Sequence, residues 1–382
     1  MRKVQYPDDI EALKEAYKSI FADDLSYLEK VWEDYRRRVK ELKDFNIRVD
    51  DLLVMDYEGL VKWYRKYTHA QFSDVEKKML KGDKTSGLYH DCFNYDKYRE
   101  RIKAFFLDPK NGFELHVCHY CEMAYINSFK IDENEQLMAF LNGASLKELF
   151  ENLDKRNKAF LRRIIRIKCC RPFRNVKELA IINKRWFKKT FTDELSTKKV
   201  ATFDIDHVLD KGSCPLVALS LFNFVPSCQV CNSRIKHTGV LGRRDEPEVK
   251  LSPTYSGYDF DKAVKIRLHS KYGNVYIDPV AHKDEYELDF QTYDEAYRYE
   301  VDFFKLKERY NYHIVEALRI LELKKKYNKA ALELISGVLP NDGRYVPANI
   351  EEDLLGIDFH KKHNRCFEKM YRDIYSDNDP RL

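Results

Sequence analysis

Two Cys-x-x-Cys pairs, Cys118/Cys121 and Cys228/Cys231, stand more than a hundred residues apart in the chain. Four thiolates in two such knuckles make a closed tetrahedral site, which fills every coordination position of zinc and leaves none for substrate. The spacing therefore predicts a structural zinc ion that clamps two distant segments together. A redox role for either pair would need a thioredoxin-like βαβ setting, which neither flanking sequence provides. The other five cysteines, Cys92, Cys169, Cys170, Cys214 and Cys366, read as buried or incidental thiols.

A chain of 382 residues has room for roughly two or three structural units. Its 26 Tyr, 23 Phe and 44% hydrophobic residues exclude a disordered protein, because such chains lack large apolar side chains. The net charge of +5 is too small to name a polyanionic partner, so the placement of charge matters more than its sum. The first twenty residues hold no apolar run of signal-peptide length and carry acidic groups, which predicts a cytoplasmic protein. The longest mostly apolar run, Leu216 to Val225, is about half the ~20 residues that span a bilayer, so no membrane partner is expected.

The pattern predicts an α+β, mostly helical protein. Residues 1–112 read as a helical N-terminal region, with Ile10, Leu13, Tyr17 and Ile20, then Leu28, Val31, Trp32 and Tyr35, at helical spacing. Residues 113–245 hold both knuckles, with a basic helical insertion at about 131–200. Residues 246–382 read as a hairpin followed by a helical region. In the hairpin, Val264, Ile266 and Leu268 alternate with Lys265 and Arg267, and the turn at Tyr272-Gly273-Asn274 leads back through Val275 and Ile277. In the helical region, Tyr310, His313, Ile314, Ala317, Leu318 and Leu321 mark one amphipathic helix, with His313 on its apolar face.

The chemistry lies between the knuckles. Asp206 and His207 fall in a strand-like run, Ala201 to Leu209, where neighbouring side chains point to opposite faces and can flank a metal ion and a water. Asn223 follows before a second apolar segment. Asn232 comes directly after Cys231, where the second knuckle should open a helix. A histidine that titrates near neutrality can take a proton from water, and Asp206 and the Asn232 amide oxygen are hard ligands that suit Mg²⁺ or Mn²⁺ better than zinc. The Asn223 amide can bridge backbone groups of the loop that carries His207; a plain turn asparagine is the alternative.

On a helix, Lys236 shares the face of Asn232, whereas His237 is rotated away, so Lys236 and Arg234 are cast as phosphate contacts, with a solvated helix face as the other reading. His116 and His119 surround the first knuckle, where four cysteines already satisfy an ion, and read as supporting or surface residues.

The order Cys-x-x-Cys, Asp-His, Asn, Cys-x-x-Cys-Asn resembles the HNH (ββα-metal) endonuclease family with a treble-clef four-cysteine zinc site, over Cys118 to Lys236. The resemblance implies a metal-dependent endonuclease that hydrolyses phosphodiester bonds in double-stranded DNA. By it His207 is the general base, Asn223 stands at the middle Asn position, and Asp206 and Asn232 hold the catalytic divalent cation. More loosely, the segment from Phe203 to Cys228 is similar to bacterial phage-defence HNH nucleases of the Septu type, which implies a separate ATPase or regulatory subunit as partner; this chain has no Walker-type glycine loop of its own.

Between Lys155 and Lys189 the sole acidic residue is Glu178, against fourteen Lys and Arg. Leu161, Ile164 and Ile165 form an apolar helical stripe, which turns Arg162, Arg163 and Arg166 outward; Lys184 and Arg185 follow, with Phe160, Phe173, Trp186 and Phe187 nearby. Such a strip suits a phosphate backbone, with a docking face for an acidic partner as the second reading. A rival for the whole chain is a zinc-stabilised nucleic-acid-binding protein without catalysis.

Overall fold

A computed structural model of the chain describes residues 1–83, 85–130, 155–167, 199–274, 276–340, 346–356 and 365–377. They form two compact units: Met1–Asn127 with Thr202–Leu382, and Ser128–Ala201. The described residues are α+β and mostly helical, with three antiparallel two-stranded sheets. None of their helices is long and apolar enough to cross a membrane.

In chain order the helices are α1 (Ile10–Ser19), α2 (Leu25–Arg38), α3 (Val49–Val54), α4 (Tyr57–Thr68), α5 (Asp74–Lys81), α6 (Leu88–Asp91), α7 (Tyr95–Leu107), α8 (Lys155–Ile167), α9 (Phe260–Ala263), α10 (Glu295–Phe303), α11 (Leu306–Tyr312), α12 (Ile314–Lys326), α13 (Lys329–Val338), α14 (Pro347–Leu355) and α15 (Glu368–Ser376). The strands are β1 (Ser128–Lys130), β2 (Lys199–Ala201), β3 (Asp204–His207), β4 (Phe224–Ser227), β5 (Val264–Ser270) and β6 (Tyr286–Thr292).

The N-terminal helices begin where side chains satisfy their first amide groups. Asp9 caps α1, Asn94 caps α7, and Ser73 with Glu76 closes a capping box on α5. Their apolar faces meet in an aromatic core of Tyr17, Phe21, Trp32, Tyr98 and Phe106, all fully buried. That core supports the link between β3 and β4. Leu216, Val217, Leu219 and Leu221 are buried, α4 packs against this stretch, and the Tyr17 hydroxyl donates to the Leu219 carbonyl at 2.7 Å. The apolar run that is too short for a membrane is thus the floor of the hairpin.

β3 and β4 pair antiparallel, with Asp206 opposite Val225 and His207 opposite Phe224. After β4, residues Val230–Lys236 wind as a π-helix, closed by the bond from the His237 amide to the Asn232 carbonyl at 2.7 Å.

The C-terminal hairpin differs from its sequence expectation. β5 does begin at Val264 and buries Val264, Ile266 and Leu268 on one face, but its partner is Tyr286–Thr292, in continuous register from Val264 opposite Thr292 to Ser270 opposite Tyr286. Ile277 is fully exposed; Val275 lies outside the described residues. The true partner offers a longer alternating face, Tyr286, Leu288 and Phe290, which buries more apolar surface against the helices.

The expected single helix around His313 is also two helices, α11 and α12, broken at His313. His313 is exposed rather than part of the core, because the break turns its side chain off the buried row of Ile314, Ala317 and Leu318.

The second unit contains β1 paired with β2, and α8. Its chain leaves and re-enters the first unit at Asn127 and Thr202, where the Thr202 amide donates to the Asn127 carbonyl at 2.9 Å and the Thr202 hydroxyl donates to the Asn127 side-chain oxygen at 2.7 Å. Arg162, Arg163 and Arg166 belong to α8, and Arg163 is exposed. Lys184, Arg185, Phe173, Trp186 and Phe187 lie outside the described residues.

Candidate metal centre and adjoining cleft

The four cysteines of the two knuckles converge. Their sulfur atoms lie within 4.8 Å of one another and all four residues are buried, with Cys121 Sγ and Cys228 Sγ 4.0 Å apart. A zinc tetrahedron with Zn–S bonds of about 2.3 Å has sulfur–sulfur edges of roughly 3.8 Å, so the cluster fits this ion closely. Donors already surround the sulfurs: the Cys228 amide reaches Cys118 Sγ at 3.3 Å, the Met123 amide Cys121 Sγ at 3.4 Å, and the Arg309 guanidinium Cys231 Sγ at 3.4 Å. Such groups offset the excess negative charge of four thiolates on a divalent ion.

The first knuckle is a tight turn in which the Glu122 amide donates to the Cys118 carbonyl, and Glu122 itself takes a left-handed φ of 52°. Its carboxylate is buried and anchored by Arg2 at 3.4 Å. His119 is buried with Nδ1 3.1 Å from the Arg2 carbonyl, and burial pushes it down to about 4; His116 is exposed. Neither belongs to the sulfur cluster.

The cluster fixes what lies beside it. Tyr120, between the two cysteines of the first knuckle, stacks on Phe304 and donates its hydroxyl to Asp206 Oδ2 at 2.6 Å. Asp206 is 3% exposed, and its other partner is Lys236, whose ammonium lies 3.2 Å from Oδ1 and 3.1 Å from Oδ2. Burial pushes the Asp206 carboxyl up, against the pull of that ammonium. Lys236 also donates to the His207 carbonyl at 2.6 Å, and its side chain is 1% exposed.

The expectation that Lys236 contacts phosphate therefore does not hold: a π-helix adds a residue to the turn and brings this ammonium inward onto Asp206. The same winding keeps His237 beside the cleft, where an α-helix would have rotated it away.

On the opposite face of β3, the His207 ring stands edge-on to Tyr95 at 4.5 Å and to Phe224 at 5.0 Å. Its Nε2 lies 3.0 Å from the Ala218 carbonyl. A carbonyl only accepts, so Nε2 carries the proton and Nδ1 is the ring's acceptor. Burial, with the positive charges of Lys211 and Lys236, pushes the imidazole down to about 3, well below the near-neutral titration expected from the sequence, and keeps it neutral.

Asn223, fully buried, closes the loop that follows: its amide oxygen accepts from the Leu209 amide at 2.7 Å, and its nitrogen donates to the carbonyls of Leu209 at 3.1 Å and Val217 at 2.9 Å.

His207, Asp206 and Asn232 line one cleft of about 360 Å³. Asn232 meets not Asp206 but Asp204, donating from Nδ2 to Asp204 Oδ2 at 3.2 Å. The opposite wall comes from α7, through Arg99 and Lys103, and from Lys211, whose ammonium lies 4.5 Å from the centre of the Tyr95 ring. Arg234 is exposed but does not line the cleft. The sequence reading missed Asp204, Tyr120, Arg99, Lys103 and Lys211. Asp204 had a signal, since it sits two residues from Asp206 on the same strand face; the others come from segments whose approach is set by tertiary packing alone.

Neither protein-family models nor curated proteins nor solved structures give a match to this chain.

Proposed function

We propose that this chain is a metal-dependent phosphodiester hydrolase of the HNH type that cuts DNA, with His207 as general base. One observation carries the reading: His207, on a short hairpin whose loop Asn223 closes, shares a cleft with Asn232, the residue directly after the four-sulfur cluster. A phosphodiester is a poor electrophile, so its hydrolysis needs an activated water and charge relief on the leaving oxygen.

His207 Nδ1 takes the proton from water while the Ala218 carbonyl holds the tautomer through Nε2. Arg99, Lys103 and Lys211 attract the phosphate backbone. A hard divalent cation, Mg²⁺ or Mn²⁺, held by the Asn232 amide oxygen and a carboxylate of β3, supplies the charge relief when bound. The zinc ion would hold the frame and take no part in the chemistry.

Supercoiled plasmid DNA incubated with zinc-loaded protein and Mg²⁺ or Mn²⁺ tests this. The wild type should relax or linearise it, and His207→Ala should slow cleavage by ~10²–10⁴-fold while keeping its zinc. Equal cleavage by both proteins removes His207 from the chemistry. A second reading, a zinc-stabilised protein that binds nucleic acid without cutting it, draws on the Lys236 ammonium paired with Asp206. It is the outcome if the wild type retards DNA in a gel and leaves it intact with either metal.

A further inference from the structure

We propose that Asp204, rather than Asp206, is the carboxylate that shares the catalytic cation with Asn232; this rests on the hydrolase reading above. Both oxygens of Asp206 are already engaged, Oδ1 by Lys236 and Oδ2 by Lys236 and the Tyr120 hydroxyl, in a side chain that is 3% exposed. A divalent ion there would meet a buried ammonium at close range, and Lys236, bonded as well to the His207 carbonyl, has no exposed position to which it could yield.

Asp204 differs in each respect. It lies half-buried at the start of β3, where it lines the same cleft as His207. Its Oδ2 accepts from Asn232 Nδ2, and from the Ser233 hydroxyl at a long 3.5 Å, while its Oδ1 has no hydrogen-bond partner among the described residues. The bond to Asp204 also orients the Asn232 amide: with Nδ2 spent as donor, the amide oxygen is the atom left to coordinate. One carboxylate oxygen and one amide oxygen, with the remaining positions held by water and phosphate, is a donor set that suits Mg²⁺ or Mn²⁺. Asp206 is then a structural joint, which ties β3 to the first knuckle through Tyr120 and to the π-helix through Lys236.

The test is Mn²⁺ titration of zinc-loaded protein, followed by the electron paramagnetic resonance signal of the free ion, with plasmid cleavage measured alongside. Asp204→Asn should weaken Mn²⁺ binding by ~10-fold or more. The double variant Asp206→Asn/Lys236→Met removes the ion pair as a unit, strands no buried charge, and should keep wild-type Mn²⁺ affinity. Tyr120→Phe guards against a double variant that fails to fold: it should lower the melting temperature and leave Mn²⁺ binding unchanged. Mn²⁺ affinity lost in the double variant or in Tyr120→Phe, and kept in Asp204→Asn, overturns the assignment while plasmid cutting by the wild type leaves the hydrolase reading intact. Wild-type protein that neither binds Mn²⁺ nor cuts DNA overturns both.

Discussion

The two hairpins of the larger unit are built on different principles. β5 and β6 pair over seven residues each, bury alternate side chains on one face, and leave the other face to polar pairs such as His269 with Glu287 at 2.9 Å. Their stability comes from apolar area and a long ladder. β3 and β4 pair over four residues each, and β4 is buried throughout. A ladder this short contributes little, and it carries two carboxylates and an imidazole. What holds it is a set of side-chain bonds: Asn223 and Lys236 to neighbouring backbone, and Tyr120, from the first knuckle, to the Asp206 carboxylate. Regular structure suffices for a scaffold, whereas a strand that presents polar groups inside a protein must have each of them satisfied individually.

Removing the cluster should break this contrast most severely. In Cys228→Ser/Cys231→Ser the zinc content should fall to background, and the β3–β4 region should lose its protection from hydrogen exchange, because structural zinc contributes on the order of 10 kcal/mol in small sites. The β5–β6 amides should keep theirs; equal loss in both hairpins would show that they fold as one cooperative unit.

Asn223→Ala is the next largest change. It leaves the Leu209 amide and the carbonyls of Leu209 and Val217 without their Asn223 partners in a buried site, and should cost about 3 kcal/mol by denaturant titration, with cleavage reduced alongside. An unchanged midpoint would mean that the loop is held by its apolar floor alone.

The smallest effect belongs to the β5–β6 side. Glu300 on α10 is fully buried, accepts from Tyr258 at 2.8 Å, and is pushed by burial up to about 8, against the pull of the Met1 amino group and the Tyr258 hydroxyl. The folded state thus holds a proton that the unfolded chain releases near 4.5, so this group's contribution to stability is lost progressively as pH rises from 4.5 to about 8. Glu300→Gln should be free of that slope, and its melting temperature relative to wild type should rise across the same window; parallel curves would contradict it.

Much of this architecture was legible because the signals were local or chemically exclusive. Four cysteines in two knuckles have few stable fates other than one cluster, and helical periodicity at Leu13, Tyr17, Leu28, Trp32 and Tyr35 marks residues that are buried in α1 and α2. The partner of β5 was not legible, since a nearby turn and two apolar residues at Val275 and Ile277 imitate a hairpin, and the better face lies beyond a longer loop.

The inward Lys236 was hidden for another reason. Sequence reasoning assumes 3.6 residues per turn, and the π-helix departs from that count at the point where the cleft is assembled. Asp204 was overlooked because its neighbour Asp206 matched the motif. Both acids line the cleft, and what separates them is that the Tyr120 and Lys236 side chains claim the oxygens of Asp206.

The pair of bonds between Asn127 and Thr202 carries a consequence for the history of such a chain. With its two ends stapled at the rim of the first unit, the segment between them is a ring rather than a connector. Closing a flexible ring costs only about 0.6 kcal/mol more for each doubling of its length. The segment between Asn127 and Thr202 can therefore be lengthened, shortened or exchanged for a different module at little thermodynamic cost to the cluster, which makes this pair a natural graft point for new specificity.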